Sequence, residues 1–254
     1  MRMNPVLIAG KLAGLLVFSA AVTANAAEIR VLSSNALKTV VEELGPQFEK
    51  ATEHKLHVTF GAAANLKVSI EQGEAFDVAI LTASTLDALV AAGKLDAATR
   101  ADIARSSVGL AVKKGAAKPD ISTTEAFTRT LLNAKSIGYV EQGASGIYLK
   151  DLFVRLGIAE QLKGKTKLLP ASNPAAHAVA NGEVEIGMTQ ISEILPYAGA
   201  ELVGPLPADI QLYTVFAAAI GTGAKQADAG KALIKFLTAP AAVPVLKAKG
   251  LSPG

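Results

Sequence analysis

The sequence predicts an α/β fold of two lobes, each built on a mainly parallel sheet flanked by helices. Three strand-then-helix units follow one another within residues 28–92, an order typical of a doubly wound parallel sheet. The same alternation resumes after residue 108. Two apolar runs, at residues 108–112 and 212–220, are interpreted as crossings between the lobes. Two crossings form a hinge, and a hinge permits closure around a ligand.

In the first lobe, short apolar runs predict strands, and apolar residues spaced three or four apart predict helices. Residues 28–33 form the first predicted strand, and residues 36–52 form a helix that Pro46 is expected to bend or divide. The run at 76–81 is almost continuously apolar, as in a strand buried on both faces. The other predicted elements here are a strand at 55–60 and helices at 65–72 and 85–92.

The second lobe repeats this alternation of strands and helices. After the first crossing, the predicted elements are a helix at 122–133, a strand at 136–140, a helix at 146–156, a strand at 167–169, a helix at 174–180 and a strand at 184–188. After the second crossing, a helix at 225–237 returns to the first lobe. We therefore expect lobe one to comprise residues 27–107 and 214–254, and lobe two residues 108–213.

The first 26 residues resemble a secretory signal peptide. Arg2 and Lys11 precede an uncharged, mostly apolar run at 12–22, and residues 24–26 (ANA) fit the small-x-small cleavage rule. We expect cleavage after about Ala26, with a retained N-terminal anchor as the alternative. No other segment is long and apolar enough to predict a membrane span.

Composition narrows the possible functions. The formal charge is +3, which loss of Arg2 and Lys11 would lower by two, and the charges are scattered, so no nucleic-acid-binding surface is predicted. The chain has no cysteine, which excludes a thiol nucleophile and a thiolate metal site. His54 and His57 lack the helical spacing of a metal-binding pair. We expect neither a metal site nor a cofactor.

A short motif that joins a strand to a helix occurs twice, at residues 33–38 (SSNALK) and 61–67 (GAAANLK). The first N–H groups of a helix lack intrahelical partners and carry the positive end of the helix dipole, so they favour an anion. Residues 143–146 (GASG) offer a similar helix start in lobe two. Because ligands of open α/β sheets bind beyond the carboxyl ends of the strands, we predict an anion site there. The alternative is that small residues merely shorten these connections.

Two carboxylates, Glu141 and Glu193, fall near predicted strand ends that face this crevice. Such a pair could act as acid and base. However, the sequence shows no metal-ligand set, nucleophile motif or cofactor fingerprint beside them. We therefore interpret them as solvated or capping carboxylates and expect a protein that is not an enzyme.

Five segments occur in a characteristic order: 31–37 (VLSSNAL), 60–71 (FGAAANLKVSIE), 76–83 (FDVAILTA), 143–150 (GASGIYLK) and 187–193 (GMTQISE). In them, and from about Glu28 to the C-terminus, the sequence resembles the periplasmic molybdate-binding proteins of ABC importers. The resemblance implies a two-lobed fold like that of type II periplasmic binding proteins. It also implies a periplasmic monomer that works with an ABC permease in the inner membrane and binds no nucleic acid.

The resemblance also implies ligand positions, from which this sequence departs. In the family, the first two turns typically each supply a serine whose hydroxyl and amide bind the oxyanion, and here these positions are Ala36 and Ala63. The third ligand position falls at Thr82, the fourth near Gly143, and the tyrosine of the fifth matches Gln190. Each hydrogen bond to a charged group contributes about 1.5–3 kcal/mol, so two lost hydroxyls weaken oxyanion binding on the order of a hundredfold or more.

We therefore expect the solute-binding component of an importer, with a small anion held between the lobes. The predicted ligand-binding residues are Ser34, Asn35, Ala36, Ala63, Asn65, Thr82, Gly143, Ser145 and Gln190. A molybdate-like or tungstate-like oxyanion is the first expectation. An organic acid or another larger solute is the alternative, because the alanines widen the cleft. A secreted enzyme that uses Glu141 or Glu193 as a base, and an effector-sensing regulatory domain, are further alternatives.

Overall fold

The structure is a computed structural model that describes residues 26–254. The predicted signal peptide, except for its last residue, lies outside the described residues. The strands in the described range are β1 Glu28–Ser34, β2 Lys55–Gly61, β3 Val78–Thr82, β4 Ala101–Lys113, β5 Ile137–Val140, β6 Thr166–Leu169, β7 Ile186–Gln190, β8 Ala200–Pro205, β9 Tyr213–Ile220 and β10 Leu251–Pro253.

Helices connect these strands in the predicted alternation. They are α1 Lys38–Thr52, α2 Ala63–Glu71, α3 Ala83–Ala91, α4 Thr124–Asn133, α5 Ala144–Arg155, α6 Ala159–Lys163, α7 Ala175–Ala180, α8 Ile191–Ile194, α9 Ala227–Leu237 and α10 Val243–Ala248. Short 3-10 turns occur at Asn35–Leu37, Ala97–Thr99, Ala208–Ile210 and Pro240–Ala242. Within residues 26–254, no single helix is long and apolar enough to cross a membrane, although the bent pair Ala227–Leu237 and Pro240–Ala248 has the length and composition.

The long strand β4 belongs to both lobes. Its residues 101–107 pair with β9, and residues 108–112 pair with β7, both in antiparallel register. Beyond these pairs, β1 joins β2 and β3 in parallel, and β5 joins β6 and β7 in parallel. The resulting order is β2-β1-β3-β9-β4-β7-β5-β6, with β8 and β10 also paired to β4. The two-lobed α/β fold with parallel sheets and flanking helices is therefore confirmed, whereas the numerical lobe boundaries stay a prediction.

The Gln211 side chain ties the two crossing segments together. Its Oε1 accepts a hydrogen bond from the Val108 backbone N–H at 2.9 Å, and its Nε2 donates to the Val108 carbonyl at 3.1 Å. Nε2 also donates to the carbonyl of Leu206 at 3.2 Å. One side-chain amide thus satisfies backbone groups at the point where the pairing partner of β4 changes from β9 to β7.

Strand β3 shows why the predicted apolar run is continuous. Val78 and Ile80 pack into a core shared with α1 and α9, whereas Ala79 and Leu81 pack into a second core with α2 and α3. Successive side chains of a strand point to opposite faces, so a sheet covered on both sides needs apolar residues at every position. Lobe two has its own core, which includes Phe127.

Some predicted details of the elements were wrong. Helix α1 runs through Pro46 as one helix, so the expected division does not occur, and a bend at Pro46 stays a prediction. Strand β4 begins at Ala101 rather than at residue 108. Its first half was not predicted, because polar residues interrupt the apolar pattern around the buried Ile103, Ala104 and Ser106. The sequence reading also missed α6, α8, α10, β8 and β10, which are short or partly exposed.

Candidate functional site

A cavity of about 480 Å³ lies between the lobes, at the carboxyl ends of β1, β3, β5 and β7. The parts of its wall from lobe one include Ala36 and Ala63, which therefore line the same space. Ser145 and Gln190 line it from lobe two. This is the crevice in which ligands of open α/β sheets bind.

Six helical segments begin at the wall of this cavity. The residues that precede their first turns all line it, and none of them provides a side-chain acceptor for the helix start: Ser34, Ala62, Thr82, Gly143, Pro174 and Gln190. By contrast, α4 begins outside the cavity, where the Thr123 hydroxyl accepts from the Ala126 N–H at 3.1 Å. Uncapped first-turn N–H groups carry partial positive charge, so the wall is suited to an anion.

The structure brings most of the predicted ligand-binding residues together. The eight that line the cavity are Ser34, Asn35, Ala36, Ala63, Thr82, Gly143, Ser145 and Gln190. Asn65 does not line it, and the geometry corrects its assignment. It is exposed in the first turn of α2, which buries Leu66 and Ile70 instead, and its N–H already donates to the Ala62 carbonyl at 3.0 Å. That the other eight contact a ligand stays a prediction.

The side-chain amide of Gln190, which was matched to the fifth ligand position, already has a partner within the protein. Its Nε2 donates to Thr214 Oγ1 at 2.9 Å, across the junction between β7 and β9. Its Oε1 is buried and has no hydrogen-bond partner within residues 26–254, and the same is true of Thr39 Oγ1 and Ser192 Oγ. All three residues line the cavity. Unsatisfied buried polar atoms are rare in native proteins, so three of them in residues that line one cavity set this wall apart from the rest of the described structure.

Three charged side chains line the cavity: Lys38 and Glu42 on α1, and Glu193 on α8. The Lys38 ammonium lies 3.8 Å from the Glu42 carboxylate, and both side chains are about half exposed. Glu193 takes part in no ion pair within the described chain. An ionised carboxylate in the wall repels an anion, so the charge state of Glu193 determines whether an anion can bind beside it.

Glu193 is held by a neighbour on β7. Its Oε2 accepts a hydrogen bond from Thr189 Oγ1 at 2.5 Å. Removal from water raises the pKa of the Glu193 carboxyl, because burial penalises the charged form, and hydrogen bonds from the Thr189 hydroxyl and the Gln190 backbone N–H offset part of this effect. Burial likewise raises the pKa of Tyr197, with the negative charge of Glu193 as a second cause. The site therefore favours the neutral form of Glu193 relative to an ordinary glutamate.

The other candidate groups lie elsewhere. Glu141 does not line the cavity, so the proposed pairing of Glu141 with Glu193 does not form. In the part of the chain that the structure covers, no three histidine, aspartate or glutamate side chains are arranged to hold a metal. His54 accepts from the Ala27 N–H at 3.1 Å, and His57 lies 3.7 Å from the Glu28 carboxylate.

Sequence reasoning missed several residues of the wall. Lys38, Thr39 and Glu42 follow Asn35 at helical spacing, so one face of α1 continues the motif that was recognised. This periodicity could have identified them. Thr189 and Ser192 carried no comparable signal, because α8 is only one turn long and was not predicted.

Comparisons with known proteins agree with this geometry. The chain is 33% identical over 231 residues to an aconitate isomerase from a Pseudomonas species, an alignment that covers 89% of this chain and 87% of that protein. It is 29% identical over 240 residues to the molybdate-binding protein ModA of Azotobacter vinelandii, covering 91% and 92% of the two chains. The solved structure of the Azotobacter vinelandii periplasmic molybdate-binding protein superposes with a TM-score of 0.76 at 19% identity, over 89% of this chain and 99% of that one.

The resemblance to molybdate-binding proteins is thus confirmed, while the named relatives differ in what they act on. A family model described as bacterial extracellular solute-binding protein matches residues 29–252, which is nearly all of the described chain. The chain therefore belongs to the family of bacterial extracellular solute-binding proteins.

Proposed function

We propose that this protein is a periplasmic solute-binding component of an ABC importer that holds a small organic acid between its lobes and delivers it to a permease. The observation that carries the proposal is the set of six uncapped helix starts around one cavity. Backbone N–H groups at helix starts bind anions without needing a basic side chain. The family membership supports transport as the role of such a site.

Three features favour an organic acid over a tetrahedral oxyanion. Ala36 and Ala63 stand where hydroxyl donors would be needed to surround an oxyanion. A volume of about 480 Å³ is typical of pockets for small organic molecules. Glu193 also contributes a carboxyl, which opposes a compact dianion but can donate a hydrogen bond when protonated.

A thermal-shift screen of the mature protein tests this proposal. The panel consists of molybdate, tungstate, sulfate, phosphate, citrate, malate and the two aconitate isomers. We expect a carboxylic acid to give the largest shift. A ligand at about a thousand times its Kd adds roughly 4 kcal/mol to the free energy of unfolding, which raises the Tm of a domain of this size by about 8–16 °C. A panel without any shift contradicts anion binding, and shifts with oxyanions alone contradict the organic-acid assignment.

The double variant Ala36→Ser, Ala63→Ser provides the matched control for ligand class. Two restored hydroxyls each add a hydrogen bond of about 1.5–3 kcal/mol to an oxyanion, so molybdate affinity is expected to rise on the order of a hundredfold. Affinity for a carboxylic acid should not rise in parallel, because the added side chains narrow the cavity. Isothermal titration of the wild type and of the double variant, each with molybdate and with a carboxylic acid, measures the difference.

A second candidate function is isomerisation of an unsaturated organic acid in the same cleft. It is favoured by Glu193, a carboxyl of raised pKa that lines the cavity and is oriented by Thr189. Such a group can remove a proton from a methylene carbon beside a carboxylate and return it to the far end of the allylic system, which moves the double bond. The similarity to an aconitate isomerase supports the same chemistry.

Turnover distinguishes the two candidates. If the protein isomerises its ligand, cis-aconitate incubated with a catalytic amount of it is converted to the trans isomer in large molar excess, as chromatography would measure. Glu193→Gln should abolish that conversion while leaving the affinity for the acid measurable. Recovery of unchanged cis-aconitate in stoichiometric complex with the protein contradicts isomerisation and leaves the transport proposal in place.

A further inference from the structure

We propose that the cleft takes up its anion together with a proton, and that Glu193 holds this proton in contact with the bound ligand. The inference rests on the proposed function, since it needs an anion in the cleft. It goes further by making Glu193 a residue that contacts the ligand and determines its specificity. The bound pair is then a carboxylic acid of the protein and a carboxylate of the ligand.

The Glu193 carboxyl has no basic side chain as an ion-pair partner within the described residues. The carboxyl lines the cavity, and no lysine, arginine or histidine nitrogen within residues 26–254 lies within the 4.0 Å of an ion pair. Thr189 Oγ1 engages one carboxylate oxygen, Oε2. The Gln190 backbone N–H also stabilises the ionised carboxylate. Because the carboxyl lines the cavity, its protonated form is well placed to donate a hydrogen bond to an anion.

Few other titratable groups face this carboxyl. Helix α1 contributes Lys38 and Glu42, which are close enough to balance each other at 3.8 Å. The segment after α8 contributes Tyr197, whose ring packs against His177 of α7 with ring centroids 6.1 Å apart. Burial raises the pKa of Tyr197, which favours the neutral phenol, so this ring adds no charge beside Glu193. Glu193 therefore remains the group whose ionisation an incoming anion changes most.

The direction of the coupling follows from charge. An anion beside ionised Glu193 is repelled, whereas an anion beside the neutral carboxyl accepts a hydrogen bond from it. Bound ligand therefore raises the pKa of Glu193 above its value in the free cleft, which burial has already raised. The affinity for the anion is highest at pH values below the pKa that Glu193 has in the ligand-free protein. It falls by about tenfold per pH unit between the two pKa values, because binding in that window takes up one proton.

Isothermal titration with trans-aconitate tests the inference in the full mature protein. Above about pH 6 the carboxyls of the probe are almost fully ionised, so its own protonation contributes little. Titrations at pH 6, 7 and 8, each in two buffers with different ionisation enthalpies, report affinity and the number of protons taken up. We expect uptake approaching one proton per ligand and an affinity that falls with pH. Uptake near zero with a constant affinity overturns the inference.

Two variants assign the proton. Glu193→Gln keeps the size and a hydrogen-bond donor but cannot titrate, so its affinity should be independent of pH and its proton uptake should vanish. Glu141→Gln is the matched control, because it makes the same change at a carboxyl that lies outside the cavity, and it should keep the wild-type uptake. Uptake that persists in Glu193→Gln contradicts the assignment. Failure of every anion in the panel to bind instead contradicts the proposed function, so the two failures are distinguishable.

Discussion

Replacement of Asp77 by alanine is expected to lower the free energy of unfolding by about 3–5 kcal/mol, although Asp77 lies outside the binding cavity. The side chain is 4% exposed and serves three backbone donors. Its Oδ2 accepts from the Arg30 N–H at 2.9 Å, and its Oδ1 accepts from the N–H groups of Lys225 and Gln226 at 2.8 and 2.9 Å. Alanine leaves all three donors without an acceptor.

The position of Asp77 explains why the loss should be large. Its backbone N–H donates to the Arg30 carbonyl, and its own carbonyl accepts from the Gly221 N–H. The residue therefore joins the N-terminal ends of β1 and β3 to the C-terminal end of β9. The carboxylate also stands at the start of α9, where a negative charge complements the helix dipole. One residue thus connects segments that are about 150 positions apart in sequence.

Thermal and urea denaturation measure this effect. For a protein of this size, the expected loss corresponds to a decrease in Tm of about 6–20 °C. Asp77→Asn retains one acceptor oxygen and should fall between the wild type and Asp77→Ala. Asp96→Ala serves as a control, because among the described residues the exposed Asp96 carboxylate accepts one backbone hydrogen bond, from the Ala98 N–H. If Asp77→Ala is no less stable than Asp96→Ala, the three bonds do not carry the stability assigned to them.

Asp77 also illustrates what the sequence could reveal about the fold. The apolar run after it predicted a strand buried on both faces, since residue-by-residue hydrophobicity is a local property. The contacts of the carboxylate could not be predicted, because their partners at Arg30, Lys225 and Gln226 are distant in sequence. For the same reason β8 and β10 were missed, as both owe their strand form to pairing with β4 rather than to their own pattern.

The binding site was predictable where it depends on local backbone geometry. Turns of small residues at 33–38, 61–67 and 143–146 correctly identified helix starts that line one cavity. Side-chain orientation was less predictable, as Asn65 and Glu141 show by lying outside the lining. The charge balance of the cleft depends on how lobe two places α8 against lobe one, and a single-turn helix has too few residues to show a periodic pattern.

Replacement of Gly146 by alanine is expected to abolish ligand binding and to destabilise lobe two. A Cβ atom at this position would lie 1.9 Å from the Val140 carbonyl oxygen and 3.2 Å from the Glu141 carbonyl oxygen. Both contacts are backbone atoms that no side-chain rotation can relieve. The first turn of α5 would have to move away from the end of β5, and it would carry Ser145 and Gly143 out of the cavity wall. Forced overpacking of this kind costs about 1–3 kcal/mol or more.

Gly164→Ala is the matched control for this prediction. Gly164 follows α6 with a φ of −73°, and no heavy atom lies within 4 Å of where its Cβ would be. Its substitution should leave both stability and affinity close to the wild type. Calorimetric titration with the acid that gives the largest thermal shift, together with urea denaturation, compares the two variants. Equal affinity in Gly146→Ala and Gly164→Ala would show that the first turn of α5 contributes nothing to the site, because the displaced turn is the only part of the wall that the substitution moves directly.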